Sequence, residues 1–507
     1  MQGNVHERGL KQSVDWSLVL SYLLLILIGW INIYASIHSS EPSSIFDFEA
    51  RSGKQFVWIL TALGLAALIL FILSPRLWPG MAVPLYLFVA VLLIAVIFLG
   101  TPVKGSRSWF QFGPVSFQPA EISKISTSLL LAMVMSRNDF KLSRFKDFLL
   151  VAAIIGVPML SIVAESETGS ALVYVGFIFV LYREGLSGWF LALIGLAIVL
   201  FITTLTASSY ASILLLAGVL LLCNAFKEKN FWRWILFSAL FVGLMAALPS
   251  IWNLITGAVS SAADRMANTV TVPLPGARQK VFGTFLLKIK PIYLLMAACL
   301  GALPYFAVRS FRERNSFMGL SCAAFVVGLA LVFSTEFIFN DVLQDHQRKR
   351  IEVLLGMKED PAGVGYNVNQ SMIAIGSGGF AGKGYLQGTQ TTYGFVPEQS
   401  TDFIFCTVGE EWGFIGCAVV ILLYVFLISR LILDAEQCRE PFTRIYGYCV
   451  ASCIFMHLFI NIGMTIGLMP VIGIPLPLLS YGGSSLWAFT IMIFIFVAMY
   501  REEKKYY

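Results

Sequence analysis

Charge is what this chain has least of. Only 13% of its 507 residues are Asp, Glu, Lys or Arg, against about 25% in a soluble domain. That deficit excludes a string of soluble domains, although the length alone would allow several. The net charge of +6 is loop charge around apolar segments and not a nucleic-acid footprint, so no nucleic-acid partner is expected. The eight cysteines include no CxxC pair, and most fall inside apolar runs. Neither a cysteine metal site nor a disulfide framework is expected, and Cys449 and Cys453, which share a helix face, read as packing. The opening stretch MQGNVHERGLKQSVDW lacks a cleavage pattern, so the first apolar run is expected to stay as an anchor and not be removed as a signal peptide.

What is abundant is hydrocarbon. Hydrophobic residues make up 58% of the chain, and the mean hydropathy is +0.79. Apolar runs of roughly 17–25 residues recur from Trp16 to Tyr500, each long enough to cross ~30 Å of lipid. The expectation is an all-α polytopic membrane protein with about fourteen spans. The short loops holding RNDFKLSRFK, KEKNFWR and RSFRER, with the tail REEKKYY, place those ends in the cytoplasm by the positive-inside rule. The longest non-spanning stretch, about 339–402, then lies outside the membrane on the other face. Long ordered loops are usually functional.

Ionisable groups at membrane depth are costly and mark function. Glu121, Lys124, Glu165, Glu167, Glu336, Glu410 and Glu411 all fall toward the outer ends of their spans. A transporter would more often hold such groups at the midplane, so the skew points to an extracytoplasmic cavity. Glu121 and Lys124, at i,i+3, meet on one helix face. They make either a self-neutralising ion pair or a cation beside a bound phosphate. KGSRSWFQFGPVSFQP (104–119) reads as an interfacial segment, with Arg107 a minority candidate for substrate contact. HQRKRI (346–351) puts Arg348 and Arg350 on the outer side, where they suit an anionic pyrophosphate headgroup. The glycine-rich stretch 363–388 holds Gln370 and Lys383, and its glycines allow close backbone approach to a ligand. FVPEQSTDFIF ends the loop. Asp402 stands there at the start of a long helix, where it or Thr401 could cap that helix and Asp402 could also act chemically. GEEWGFIG carries Glu410 about 12 Å further along. PLPLLSYGGSS breaks the helical pattern around Ser480, and backbone of that kind must line a cavity or protein surface.

Those segments, in this order, resemble the SEDS family of bacterial membrane proteins for shape, elongation, division and sporulation. The QRKRI and GSGG…GKG…GTQ spacing favours its elongation member over its division member. The resemblance covers most of the chain outside 188–310. It implies a SEDS-type bundle of ten family helices plus about four inserted, with N-terminal helices in 1–187, inserted helices in 188–310, and C-terminal helices with the catalytic loop in 311–507. An even number of inserted spans keeps the Asp402 loop outside. It further implies a peptidoglycan glycosyltransferase that polymerises lipid II in the bacterial cytoplasmic (inner) membrane during elongation. A class B penicillin-binding protein (a transpeptidase), membrane lipids and other elongation-complex proteins would be its partners, and Asp402 its catalytic carboxylate. Two departures stand out. ESETG (165–169) replaces the family's QPDxG, which leaves Glu167 where an aspartate is usual, and the 188–310 block has no family counterpart.

The reaction so implied needs one general base for the acceptor hydroxyl and positive charge for an already anionic leaving group. Asp402 is the candidate base, or the carboxylate holding a divalent cation such as Mg or Mn, with no organic cofactor. Glu121, Lys124, Arg107, Arg348, Arg350, Gln370, Lys383, Glu410 and Ser480 are the candidate substrate-binding residues. The rival class is a lipid II flippase or another lipid transporter.

Overall fold

The structure, a computed structural model, describes residues 14–38, 44–103, 106–112, 115–228, 230–269, 290–343, 345–355, 357 and 364–505. Residues 358–363, within the 339–402 stretch expected to be functional, lie outside the described residues. The chain divides into two compact units, Met1–Gly188 with Lys358–Tyr507, and Trp189–Met357.

In the first unit, α1 (Trp16–Ile37) begins where Asp15 accepts from the amides of Ser17 and Leu18, satisfying the donors a helix start leaves open. It is followed by α2 (Arg51–Phe71) and α3 (Leu77–Leu99). A small antiparallel meander, β1 (Thr101–Val103), β2 (Ser106–Phe112) and β3 (Val115–Phe117), then leads to α4 (Pro119–Met135). The segment expected to lie along the interface therefore folds back on itself. Phe110 pairs with Phe117, and Thr101 Oγ1 donates to Trp109 O at 3.1 Å. This alternating SRSWFQF ribbon is the departure from an all-helical chain among the described residues. Next come α5 (Phe145–Ala164) and the short apolar α6 (Thr168–Arg183).

The second unit contains α7 (Gly188–Thr206, whose first residue falls in the first unit), α8 (Ser209–Ala225), α9 (Phe231–Thr269), α10 (Pro291–Glu313), α11 (Ser316–Val342) and α12 (Asp345–Leu354). Leu200, Ile213, Leu216, Leu295, Phe325 and Val332 form its core, and Ser209 donates to Glu336. The chain returns to the first unit through α13 (Val364–Ser377), α14 (Thr389–Thr392), α15 (Ile404–Gln437), α16 (Pro441–Thr465) and α17 (Gly483–Lys505).

Among the described residues, eleven helices are long and apolar enough to cross a membrane, and α6 and α8 are shorter apolar helices. The expected count of about fourteen is therefore not reached by length and composition. Helix α4, at 17 residues, is short and rich in Ser and Thr, which keeps its hydropathy low. The 339–402 stretch is not one loop, since α12, α13 and α14 lie within it.

Burial sorts the first unit into centre and shell. The apolar window of α16 is 83% buried, against 22% for α5. Helix α4 packs against α3, α5, α16 and α17, and α1 against α15. Buried tyrosines need a partner for the hydroxyl. Tyr22 meets Thr490 at 2.8 Å, Tyr174 meets Ser123 at 2.6 Å, and Tyr86 donates to Ile154 O at 3.0 Å. One end of this unit is held by ion pairs. Arg430 bonds Asp15 and Asp434, Arg183 bonds Glu436, and Arg444 bonds Glu184. The other end gathers the meander, the 165–169 turn and the loops around 378–403 and 466–483.

Candidate functional site

Asp402 sits in a tight turn just before α15. The amides of Thr401, Asp402 and Phe403 converge on Glu398 O at 3.2, 3.1 and 3.2 Å. Helix α15 starts at Ile404 with Phe403 at the cap position and no side-chain cap. Neither Thr401 nor Asp402 therefore takes the expected capping role. The turn is held from outside by four residues. Asn461 of α16 donates to Asp402 O at 2.8 Å and to Ile474 O at 2.6 Å. Ser480 Oγ donates to Thr401 O at 2.5 Å and accepts from the Leu476 amide at 2.8 Å. Tyr481 N donates to Ser400 O at 2.9 Å, while Arg51 of α2 reaches Ser400 Oγ at 2.5 Å.

The 472–474 backbone separates Asp402 from the ESETG turn. A Cβ placed on Gly473, whose φ is +69°, would lie 3.4 Å from Asp402 Oδ2, and one on Gly169 would lie 2.7 Å from Ile472 O. On the far side of that backbone, Glu167 Oε1 accepts from Gln118 and from Ser170 at 3.1 Å. Glu165 is buried, and neither of its carboxylate oxygens has a hydrogen-bond partner. Burial, reinforced by the Glu167 charge, pushes the Glu165 carboxyl up to about 8. Burial also raises Glu167 against the bonds from Ser170 and Gln118, with Glu121 adding to the rise. Arg107 lies exposed on β2, and its amide meets Glu165 O at 3.4 Å.

Below this turn runs a buried relay. Lys124 Nζ donates to Glu121 Oε1 at 2.9 Å, lies 2.9 Å from His457 Nε2, and stands over the Phe489 ring at 4.9 Å. His457 Nδ1 is 3.1 Å from Pro475 O. A carbonyl can only accept, so Nδ1 carries the proton and Nε2 accepts from the lysine. Of the two readings of the Glu121–Lys124 pair, this geometry matches the internal ion pair. Lys124 is fully buried and offers no face to a substrate phosphate here.

Glu410 and Lys383 form a second internal pair at 2.6 Å. Glu410 Oε1 also accepts from the Gln390 amide, and Oε2 from the Thr391 amide and hydroxyl, each at 2.9 Å. Two backbone bonds, Lys383 N to Glu410 O and Gly384 N to Glu411 O, both 3.0 Å, lay the glycine-rich loop along α15. A side chain at Gly378 or Gly382 would strike the helix backbone, and α15 kinks at Gly413. Glu410 is thus a fastening for the 383–391 loop and not an open ligand.

The structure therefore ties Ser480 to the turn of Asp402 through Thr401 O, and joins Glu121 to Lys124 and Lys383 to Glu410. Gln370 lies half-buried on α13. Arg348 and Arg350 belong to the second unit, where Arg348 bonds Glu352 at 3.1 Å and covers Phe339. Asn461, His457, Gly473 and Arg51 were not singled out from the sequence. The available signal for two of them was His457 and Asn461 at i,i+4 within an apolar run, which puts two polar groups on one face of a membrane helix. Among the described residues, no three His, Cys, Asp or Glu side chains are grouped to hold a metal ion. Asp402 could supply only one protein ligand, so any ion there would take the rest of its shell from phosphate and water, as Mg²⁺ commonly does.

These features define a multi-pass helical membrane protein with a polar site built by loops at one end of its central helices. Residues 15–241 and 316–505 match the cell cycle protein family of FtsW, RodA and SpoVE, and the chain belongs to that family, the SEDS family its motifs resemble. The unmatched block is 242–315, so residues 188–241, expected to lack a family counterpart, match the family. The peptidoglycan glycosyltransferase MrdB of Escherichia coli K12 is 29% identical over 92% of this chain and 88% of its own length. The peptidoglycan glycosyltransferase RodA of Treponema pallidum is 29% identical over 93% of this chain and 94% of its own. A chain from a solved peptidoglycan synthase complex that coordinates polymerization and crosslinking shares the fold. It has a TM-score of 0.55 at 24% identity and covers 97% of this chain and 98% of its own.

Proposed function

We propose that this protein is a peptidoglycan glycosyltransferase that polymerises lipid II on the outer face of the bacterial inner membrane, with Asp402 as the general base. The observation that carries this reading is the latch around Asp402. Its backbone is fixed from α16 and from the 474–481 loop, while its carboxylate faces the Gly473 backbone. Fixing the backbone of a catalytic group holds it near a productive geometry before substrate arrives.

In the proposed step, the acceptor sugar hydroxyl gives its proton to Asp402 as its oxygen attacks the anomeric carbon of the donor. The bond from that carbon to the lipid pyrophosphate breaks, and the pyrophosphate leaves with the electron pair. It is already anionic and needs no proton, unlike the leaving group of a glycosidase. Cationic groups stabilise it instead. Arg107, exposed beside the 165–169 turn, is the candidate for that task in the first unit. A divalent cation held by Asp402, if bound, would supply further positive charge. A class B penicillin-binding protein is the proposed partner, a reading supported by the coordination of polymerization and crosslinking in the related complex.

The test is lipid II polymerisation by Asp402→Asn protein shown to be folded and partner-bound, with and without added Mg or Mn. Loss of glycan strands with retained folding supports the assignment. Wild-type product from the variant overturns it.

A further inference from the structure

The second unit contains an apolar cleft that the glycosyl-transfer reading does not use. It lies between α8, α9, α10 and α11 and encloses about 100 Å³, room for part of an acyl chain and less than the ~300–1,000 Å³ of a whole small-molecule site. Leu221, Phe241, Leu303, Phe306 and Phe325 are among its walls. Its polar side chains are already engaged in their own helices. Asn224 donates to Leu220 O at 2.8 Å and Ser321 to Phe317 O at 3.0 Å. The Asn224 amide and Ser321 hydroxyl donors are therefore engaged, and the remaining walls suit hydrocarbon.

The cleft does not end in hydrocarbon. A hollow sharing Phe237, Ala302 and Phe306 with it is lined by Arg233 and Tyr305, and another sharing Cys322 is lined by Arg314 and Ser310. Arg233 and Arg314 are both exposed. Arg309 is already neutralised by Glu228 at 3.1 Å and Glu313 at 2.9 Å and stacks on Trp234. Trp232, Trp234 and Tyr305 surround the same end, the pattern of an interfacial aromatic belt. Hydrocarbon inside, arginine at the mouth and aromatics at the rim match the two ends of an anionic lipid.

We infer that this cleft is a binding site for an anionic phospholipid, with an acyl chain between α9 and α10 and its phosphate at Arg233, whose hollow shares Phe237, Ala302 and Phe306 with the cleft. The window of α9 is only 6% buried, so a lipid chain there would cover a helix that little else in this unit covers.

The test uses the full-length protein in detergent, with phosphatidylglycerol or phosphatidylcholine titrated and adducts counted by native mass spectrometry. Wild-type protein should retain phosphatidylglycerol at least several-fold better than phosphatidylcholine. Arg233→Gln, a surface change that leaves the cleft intact, should lose most of that preference. Ala302→Leu, which fills the cleft, should lose the adduct, with thermal unfolding as the check on folding. Arg137→Gln, on the loop between α4 and α5, should change nothing. Equal retention of both lipids, or equal loss in Arg137→Gln and Arg233→Gln, overturns the inference. Stronger retention of undecaprenyl phosphate than of phosphatidylglycerol also overturns it, because the occupant would then be a polyprenyl carrier.

Discussion

The side-chain amide of Asn461 joins the backbone carbonyl of Asp402, at 2.8 Å, to that of Ile474, at 2.6 Å. Two carbonyls can be bridged only by a group with two N–H bonds, which a side-chain amide has and a hydroxyl or carboxylate lacks. One residue of α16 therefore sets the position of the candidate base and of the loop that faces it.

Asn461→Ala removes both donors and leaves two carbonyls to find new partners. At about 1 kcal/mol for each bond, the expected loss of stability is about 2 kcal/mol, and the protein should still fold. Lipid II polymerisation should fall by more than tenfold, because the turn carrying Asp402 is released. Turnover at the wild-type rate would show that Asp402 does not depend on this bridge.

Gly473 supplies the surface that Asp402 faces. Its φ of +69° is open to glycine and costs other residues roughly 1–2 kcal/mol. Gly473→Ala would add that strain and place a methyl group 3.4 Å from Asp402 Oδ2. The expected outcome is folded protein whose kcat drops several-fold while KM changes little. A change confined to KM would instead place Gly473 against bound substrate.

The Glu121–Lys124 pair should behave as a buried unit. Removing one partner of such a pair costs about 3–5 kcal/mol, while removing both can be close to neutral. Lys124→Met leaves the Glu121 carboxylate buried without its cation and should unfold at clearly lower temperature. Glu121→Gln combined with Lys124→Met should recover much of that loss in a double-mutant cycle. Additive losses would mean that the two charges are not coupled. The His457 bond to Lys124 keeps the recovery short of complete, since Met cannot donate to the imidazole.

The fold was legible wherever one physical signal dominated. Apolar runs longer than the hydrocarbon core is thick marked the helices, and the contrast between TDFIF and its polar approach marked Asp402. Legibility failed where tertiary contacts decided. The sequence leaves Lys124 open as an ion-pair partner or as a cation for phosphate, and only His457, 333 positions away, shows that a second of its three donors is engaged as well as the one to Glu121. Glu410 reads as a ligand until the amides of Gln390 and Thr391 close around it. The SRSWFQF segment carries strand alternation, but its aromatic and basic content reads equally well as an interfacial anchor.

The acid pair at the 165–169 turn gives the fold a pH dependence of definite sign. Burial, then the neighbouring Glu167 charge, lifts Glu165 from an ordinary 4.5 to about 8. Between those values the folded protein keeps a proton that the unfolded chain has released, so stability falls as pH rises from about 4.5 and levels off above about 8. The slope from one group cannot exceed about 1.4 kcal/mol per pH unit. Glu167 is raised as well and acts in the same direction. Glu165→Gln, which mimics the protonated acid, should flatten the fall in Tm between pH 5 and pH 8, and a further Glu167→Gln should flatten it more. The comparison is thermal unfolding of wild type and both variants across that range. Parallel profiles would mean that Glu165 is ionised in the folded protein at neutral pH, with a partner supplied by the membrane or by another chain.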